Sequence, residues 1–292
     1  MKKIKFGFPS GLLRDQTIKL FQAAGYNVKL EENLYKLQID DPEIECLLAR
    51  VQEITHNVEK GIMDAGITEK AFILDHKVDV MEVINLAYGP KTFGSGNAKI
   101  VLAVPENSKI HSVQDLEGKK ILARVPKITK EYLAKHNVKA RVEWTDRPAE
   151  PKIPIFGDAV VEFTNTGETL RAHHLRVLDV LMETYSVFIA NKKSWENAWK
   201  REKIEELKYM LAGARLAQEY TGVMLHAQRK LLKDVLLLLP ALKAPTITQL
   251  EKRDVFDILT VAKKQEMRLL IPRLKELGCT DIVEFPLNKV IL

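Results

Sequence analysis

The chain has 292 residues, enough for two or three domains around sizeable cores. Its composition, 46% hydrophobic and 29% charged, is that of an ordinary globular protein and excludes a disordered or fibrous chain. The formal net charge of +6 suits an anionic small molecule such as a nucleotide or sugar phosphate better than nucleic acid, because the basic residues are interleaved with Asp and Glu. No apolar run reaches the roughly eighteen residues of a membrane span, and the basic N-terminus is not followed by a long apolar segment. Cys46 and Cys279 stand far apart and outside any metal-like spacing, so two reduced thiols in a cytoplasmic protein are expected.

Ile4, Phe6 and Phe8 alternate as in a strand. Pro9-Ser10-Gly11 then makes a turn into a helix with Leu13, Thr17, Leu20, Phe21 and Ala24 on one face, and Gly25 is placed to end it. Val51, Ile54 and Val58 have helical spacing up to Gly61, and "IMDAGIT" follows as a short strand. From residue 91 the pattern repeats: strand "KIVLAV", a short helix capped by Ser112, strand "KKILAR", helix "KITKEYLAKHN" and strand "KARVEW". The proline-rich "TDRPAEPKIPIF" can only be a loop, and "GDAVVEF" is the next strand. "VLDVLMETYSVFIANKK" leads back toward the first unit, and a helix runs from about Ser194 to Glu219. The remaining chain reads β-α-β-β-α-β, the order of a ferredoxin-like domain. The expected fold is α/β: a two-lobed core with a cleft, plus a C-terminal ferredoxin-like α+β domain. Residues 1–90 and 185–218 form lobe 1, residues 91–184 lobe 2, and residues 219–292 the small domain.

The stretch "DAVVEFTNTGETLRAHH" carries the chemistry. Asp158, Val160 and Glu162 share one face of their strand. Beyond it, Gly167 permits close backbone approach, Thr166 and Thr169 offer hydroxyls, and the amides of the following helix favour an anion. Glu162 suits sugar hydroxyls better than phosphate, so the pattern suggests a ribose phosphate; the same residues also suit a plain helix cap. His173 and His174 are adjacent on a helix and point different ways, which places them on the surface or behind the site.

With its neighbours, this stretch resembles the signature of the ATP phosphoribosyltransferase family, in which an acid precedes Thr-Gly-x-Thr-Leu. "ARVQEITHNVEKGIMDAGIT", "GKKILARVPKITKEYLAKHNV", "YTGVMLHAQRKLLKDVLLLLPALKAPTI" and "ELGCTDIVEFPLNKVI" resemble other family segments in the same order, including the C-terminal regulatory domain of the long form. The resemblance implies a periplasmic-binding-protein-like core. It implies a glycosyltransferase that moves phosphoribosyl from phosphoribosyl pyrophosphate (PRPP) to N1 of ATP with Mg²⁺, opening histidine biosynthesis. It also implies feedback inhibition by histidine and assembly of homodimers into homohexamers, with no nucleic acid or membrane partner.

By that resemblance Arg50 and Glu162 are the catalytic candidates, Glu162 on the ribose hydroxyls. Thr164, Asn165, Thr166, Gly167, Glu168 and Thr169 would cradle the 5-phosphate. Ser10, Gly11, Arg14 and Arg50 would lie on the nucleotide side, Asp64 would shape the cleft, and Asp257, Leu259 and Ala262 would take histidine. The metal ligands stay unassigned. The family's Lys-Gly-Arg turn is Ser10-Gly11-Leu12 here, its Asp-Ile-Pro is Glu53-Ile54-Thr55, and its Thr/Ser-x-Tyr-Pro is Ala123-Arg124-Val125-Pro126. Its Ala-Pro-Arg is replaced by Lys152-Ile153-Pro154, with Lys152 as a possible substitute charge. A divergent relative that binds a sugar phosphate or nucleotide without turnover, or an amino-acid sensor, is the alternative these departures suggest.

Overall fold

The structure is a computed structural model that describes residues 2–30, 36–86, 98–146, 149–240, 242, 244–251 and 254–292. The expected lobe boundary at residue 90, Arg147 and Pro148 of the proline-rich loop, and Lys243 of the turn after Leu242 lie outside those residues. The chain divides into two compact units, Met1–Gln22 with Tyr26–Lys208 and Ala23–Gly25 with Tyr209–Leu292.

The larger unit begins with β1 (Ile4–Pro9), α1 (Arg14–Ala23), β2 (Val28–Leu30), β3 (Lys36–Ile39) and β4 (Ile44–Ala49). Next come α2 (Val51–Glu59), β5 (Ala65–Glu69), α3 (Lys70–His76) and β6 (Met81–Asn85). The second stretch holds β7 (Ala98–Pro105), β8 (Lys120–Ala123), α4 (Pro126–Lys135), β9 (Arg141–Trp144), β10 (Ala159–Thr164), α5 (Glu168–Ala172) and β11 (Leu175–Thr184). β12 (Ser186–Ala190) then returns to the first sheet and is followed by α6 (Lys192–Glu196) and α7 (Ala198–Ala217). The first sheet has the order β2-β3-β4-β1-β5-β12-β6, the second β11-β7-β10-β8-β9. The chain therefore passes from one sheet to the other and back, which makes the core two-lobed.

The alternation seen in β1 has its expected result. Phe6 and Phe8 are fully buried and pack edge-on or tilted against Phe21 of α1, with ring centroids 5.5 and 5.2 Å apart. Gly7 and Gly66 are register partners on β1 and β5, and a Cβ on either would meet Ile54 of α2 at 2.9 and 2.7 Å. The bare backbone thus lets α2 settle onto the sheet and bury Ile54 completely, a gain of about 1.5–3 kcal/mol. The sequence reading assigns no element between Gly25 and Ala49, where the structure has the β2–β3 hairpin and β4. The first four residues of β4 alternate buried with half-buried because a strand inside a covered sheet carries a weaker polar face.

The smaller unit contains β13 (Tyr220–Gln228), α8 (Leu232–Leu238), β14 (Thr246–Gln249), β15 (Val255–Lys263), α9 (Lys264–Glu276) and β16 (Thr280–Pro286). Its antiparallel sheet has the order β14-β15-β13-β16, the ferredoxin-like arrangement. Val223, Leu225, Ile258, Ala262, Met267 and Leu274 share one core cluster. No described helix is long and apolar enough to cross a membrane.

Candidate active site

In open α/β sheets, ligands sit outside the carboxyl ends of parallel strands. In the first sheet β1 pairs in parallel with β4 and β5, with Pro9 opposite Ala49. Ser10 and Arg50 are therefore the next residues at one edge, where the Ser10 N–H donates to the Ala49 carbonyl at 2.8 Å. In the second sheet β8 is parallel to both β9 and β10, so Arg124, Thr145 and the segment after Thr164 leave from one edge as well. The two edges meet: Arg50 Nη1 is ion-paired with Asp146, which follows β9. That contact brings the carboxyl ends of both sheets to one cleft.

On the second-sheet side, Glu162 is 1% exposed, and its Oε1 accepts the Phe163 N–H at 2.9 Å. The chain then leaves β10 into a half-exposed loop. Gly167 caps α5 at φ 73°, a left-handed conformation that side chains resist. The Gly167 N–H donates to Thr164 Oγ1 at 3.0 Å, and the Glu168 N–H to Thr166 Oγ1 at 3.4 Å. The threonine hydroxyls thus order the loop by accepting from two of its amides. A Cβ on Gly167 would come within 3.0 Å of Arg171 Nη1, so the Arg171 guanidinium lies over the same loop. The sequence reading missed Arg171; its spacing of four residues on the α5 face was the available signal.

On the first-sheet side, Gly11 is exposed at φ 72°, and Arg14 Nε is 2.9 Å from Asp15. Arg50 is exposed apart from its contact with Asp146, and the Glu53 carboxylate accepts its N–H at 2.9 Å. Lys152 donates from Nζ to Thr145 Oγ1 at 2.7 Å and to the Asp146 carbonyl at 2.9 Å, so it braces the turn after β9. Asp64 is not at the cleft. It precedes β5, at the opposite end from Ser10 and Arg50, where it accepts the Lys5 N–H at 2.8 Å and hydrogen bonds from Ser194 Oγ and Lys200 Nζ at 2.6 Å. Burial alone would raise its carboxyl, but those three donors outweigh it and hold the carboxyl below the usual carboxylate range. Asp64 therefore anchors α6 and α7 beneath the sheet. His173 and His174 are exposed, and His174 Nδ1 is 3.8 Å from Glu106.

In the smaller unit the three residues expected to take histidine divide between the faces of β15. Asp257 and Leu259 lie on the face away from the helices, while Ala262 is 2% exposed in the helix-side core. The period of two in a strand separates an even position from two odd ones. A cavity of about 320 Å³ is lined by Leu242, Ala244, Thr246, Leu259, Thr260 and Ile291, among others. Asp257 lies along the same strand with its Oδ1 3.7 Å from His226 Nε2, and His226 Nδ1 is 2.9 Å from Asp281.

A family model described as ATP phosphoribosyltransferase matches residues 50–213, and one for the C-terminal domain of that family matches residues 217–289. An ATP phosphoribosyltransferase of Solibacter usitatus is 43% identical over 289 residues, covering 99% of each chain. One of Thermodesulfovibrio yellowstonii is 41% identical over 290 residues with the same coverage. Among solved structures, a chain of the ATP phosphoribosyl transferase (HisG:HisZ) complex from Thermotoga maritima superposes with a TM-score of 0.58 at 21% identity. It covers 71% of this chain and 98% of that one.

Proposed function

The chain belongs to the ATP phosphoribosyltransferase family of histidine biosynthesis, and from that premise we propose which residues do the work. PRPP binds at the end of β10. The Thr164–Thr169 loop, with Arg171 above it, takes the 5-phosphate, and Glu162 accepts hydrogen bonds from the ribose hydroxyls. The observation that carries this reading is the left-handed Gly167 at the head of α5, in a loop already ordered by the Thr164 and Thr166 hydroxyls. ATP approaches from the first-sheet edge at Ser10, Gly11, Arg14 and Arg50. Transfer of phosphoribosyl to N1 needs no protein nucleophile; it needs the two substrates aligned and the departing pyrophosphate neutralised.

Among the described residues no three His, Cys, Asp or Glu side chains stand together as a cation cage. Mg²⁺ would enter with the substrate phosphates, the way this ion commonly binds. Bound there, it would supply charge neutralisation for the leaving group.

The test is formation of phosphoribosyl-ATP from ATP, PRPP and Mg²⁺, followed by absorbance; folded protein that yields no product at high enzyme concentration would sink the catalytic reading. For regulation, we propose that histidine enters the 320 Å³ cavity of the smaller unit, with Leu259 in its wall and Asp257 as the acid for its ammonium group. Asp257→Ala should weaken histidine inhibition about tenfold or more, the usual worth of a charged hydrogen bond. An unchanged inhibition curve removes Asp257 from the site. Assembly into homodimers and homohexamers in the cytoplasm completes the proposal; light scattering of the purified protein reads the assembly.

A further inference from the structure

α3 follows β5 of the first sheet, yet its side chains divide between two cores. Ile73 packs with Ile54, Val58 and Ile189 on the first sheet. Ala71 and Phe72 pack with Ile100, Val161 and Phe163 on the second. At the next positions the helix reaches further. Asp75 is 1% exposed, and its Oδ1 accepts the Ile128 N–H at 2.9 Å; the Lys127 N–H donates to the same carboxylate. These are first-turn amides of α4, which have no partner within their own helix. The residue at the ordinary capping position is Val125, whose side chain offers no acceptor. α4 is therefore capped by an acid on α3, the helix that follows β5 of the other sheet, 53 residues away from Ile128.

The turn between β8 and α4 is gripped from its other end too. The Arg124 N–H donates to the Val161 carbonyl at 3.2 Å. Its guanidinium carbon lies 6.0 Å from the Phe72 ring of α3 and 5.9 Å from the Phe163 ring of β10. Arg124 is 5% exposed, and it leaves β8 one position beyond the pairing of Ala123 with Val161, level with Glu162 on the neighbouring strand. This turn is where the chain departs from the family's Thr/Ser-x-Tyr-Pro. A buried cation now stands at the edge that carries the sugar-binding acid.

We propose that Asp75 is a positioning residue for the PRPP half of the site. By capping α4 from α3 it fixes the β8–α4 turn, and Arg124 with it, against the end of β10. The inference rests on the reading that the β10 loop holds PRPP. A carboxylate that only stabilised the fold would change the melting temperature and leave the substrate constants of the folded protein alone. A positioning carboxylate acts on the substrate bound beside the turn it holds.

The test is steady-state kinetics on the full-length protein. Asp75→Ala, which leaves two first-turn amides of α4 without their acceptor, is expected to raise KM for PRPP about five- to tenfold and leave KM for ATP within about twofold. Asp75→Asn keeps a carbonyl oxygen for the amides and is expected to restore KM for PRPP to within about twofold of the parent. If circular dichroism shows Asp75→Ala unfolded, Asp75→Ser is read in its place. An unchanged KM for PRPP in the folded variant overturns the proposal, and so does an equal rise in Asp75→Asn. Calorimetry of PRPP with Glu162→Gln and Thr166→Ala separates the two levels. If both bind PRPP as the parent does, the reading of the β10 loop fails; if both lose PRPP while the Asp75 variants keep their KM, only the positioning role fails.

Discussion

The two edges that meet at the cleft are built on different electrostatics. The first-sheet edge presents side-chain cations, each paired with an acid: Arg14 with its neighbour Asp15, and Arg50 with Asp146 of the second-sheet edge. The second-sheet edge presents backbone amides around a left-handed glycine, with Arg171 above them. Long side chains can re-pair when a substrate arrives, and a glycine turn cannot. On the proposed assignment, the phosphate end would be shaped before binding, whereas the nucleotide end would exchange protein acids for ligand anions.

The largest expected effect comes from removing the glycine. Gly167→Val combines a left-handed residue, costing about 1–2 kcal/mol, with a collision against Arg171. PRPP affinity by calorimetry should fall by about a hundredfold or more, and an affinity within threefold of the parent would contradict a preshaped loop.

Next in size is a pH effect on the cross-tie between the sheets. His76 of α3 stacks on His56 of α2, with ring centroids 4.4 Å apart. Burial, the neighbouring His56 and Lys127 push its pKa down to about 4. Between pH 6.5 and 4 the unfolded chain binds a proton that the folded chain refuses, so stability must fall as pH falls through that window. Allowing for partial exposure, the loss is on the order of 1–2 kcal/mol. Urea melts at pH 7 and pH 5 should differ by less in His76→Phe than in the parent; equal differences remove His76 as a cause.

Thr166→Ala removes one of the hydroxyls that orient the loop and should weaken PRPP about fivefold with ATP binding unaltered, a change calorimetry can detect. Smallest is the Arg50–Asp146 pair. Its arginine is exposed, so a double-mutant cycle on stability should give a coupling below about 1 kcal/mol. The same cycle run on KM for ATP should show Asp146→Ala tightening ATP, because it releases Arg50. A weaker ATP complex in that variant would mean the pair itself supports the nucleotide.

Legibility in the sequence followed contact range. The β10–α5 loop could be read because acid, glycine and hydroxyls are consecutive, and β1 with α1 because alternation and helical spacing are local signals. Arg50 with Asp146 is separated by 96 residues and Asp75 with Ile128 by 53, so no spacing rule reaches them. Asp64 was misplaced for the same reason: its position relative to the cleft depends on which end of β5 faces Arg50. The separation of Ala262 from Asp257 was within reach, since odd and even positions of a strand point apart.

The placement of β12 has a consequence for how the chain is made. β12 lies between β5 and β6, and among the described residues β6 pairs with no other strand. The first sheet, although it contains the N-terminal strand, stays incomplete until residues 186–190 have been synthesised. Every described strand of the second sheet lies within residues 98–184. During vectorial synthesis the inserted sheet can therefore close first, while the earlier one waits with open edges. Proteolysis of nascent chains stalled just before and just after β12 should show the earlier segment passing from cleavable to protected at that step.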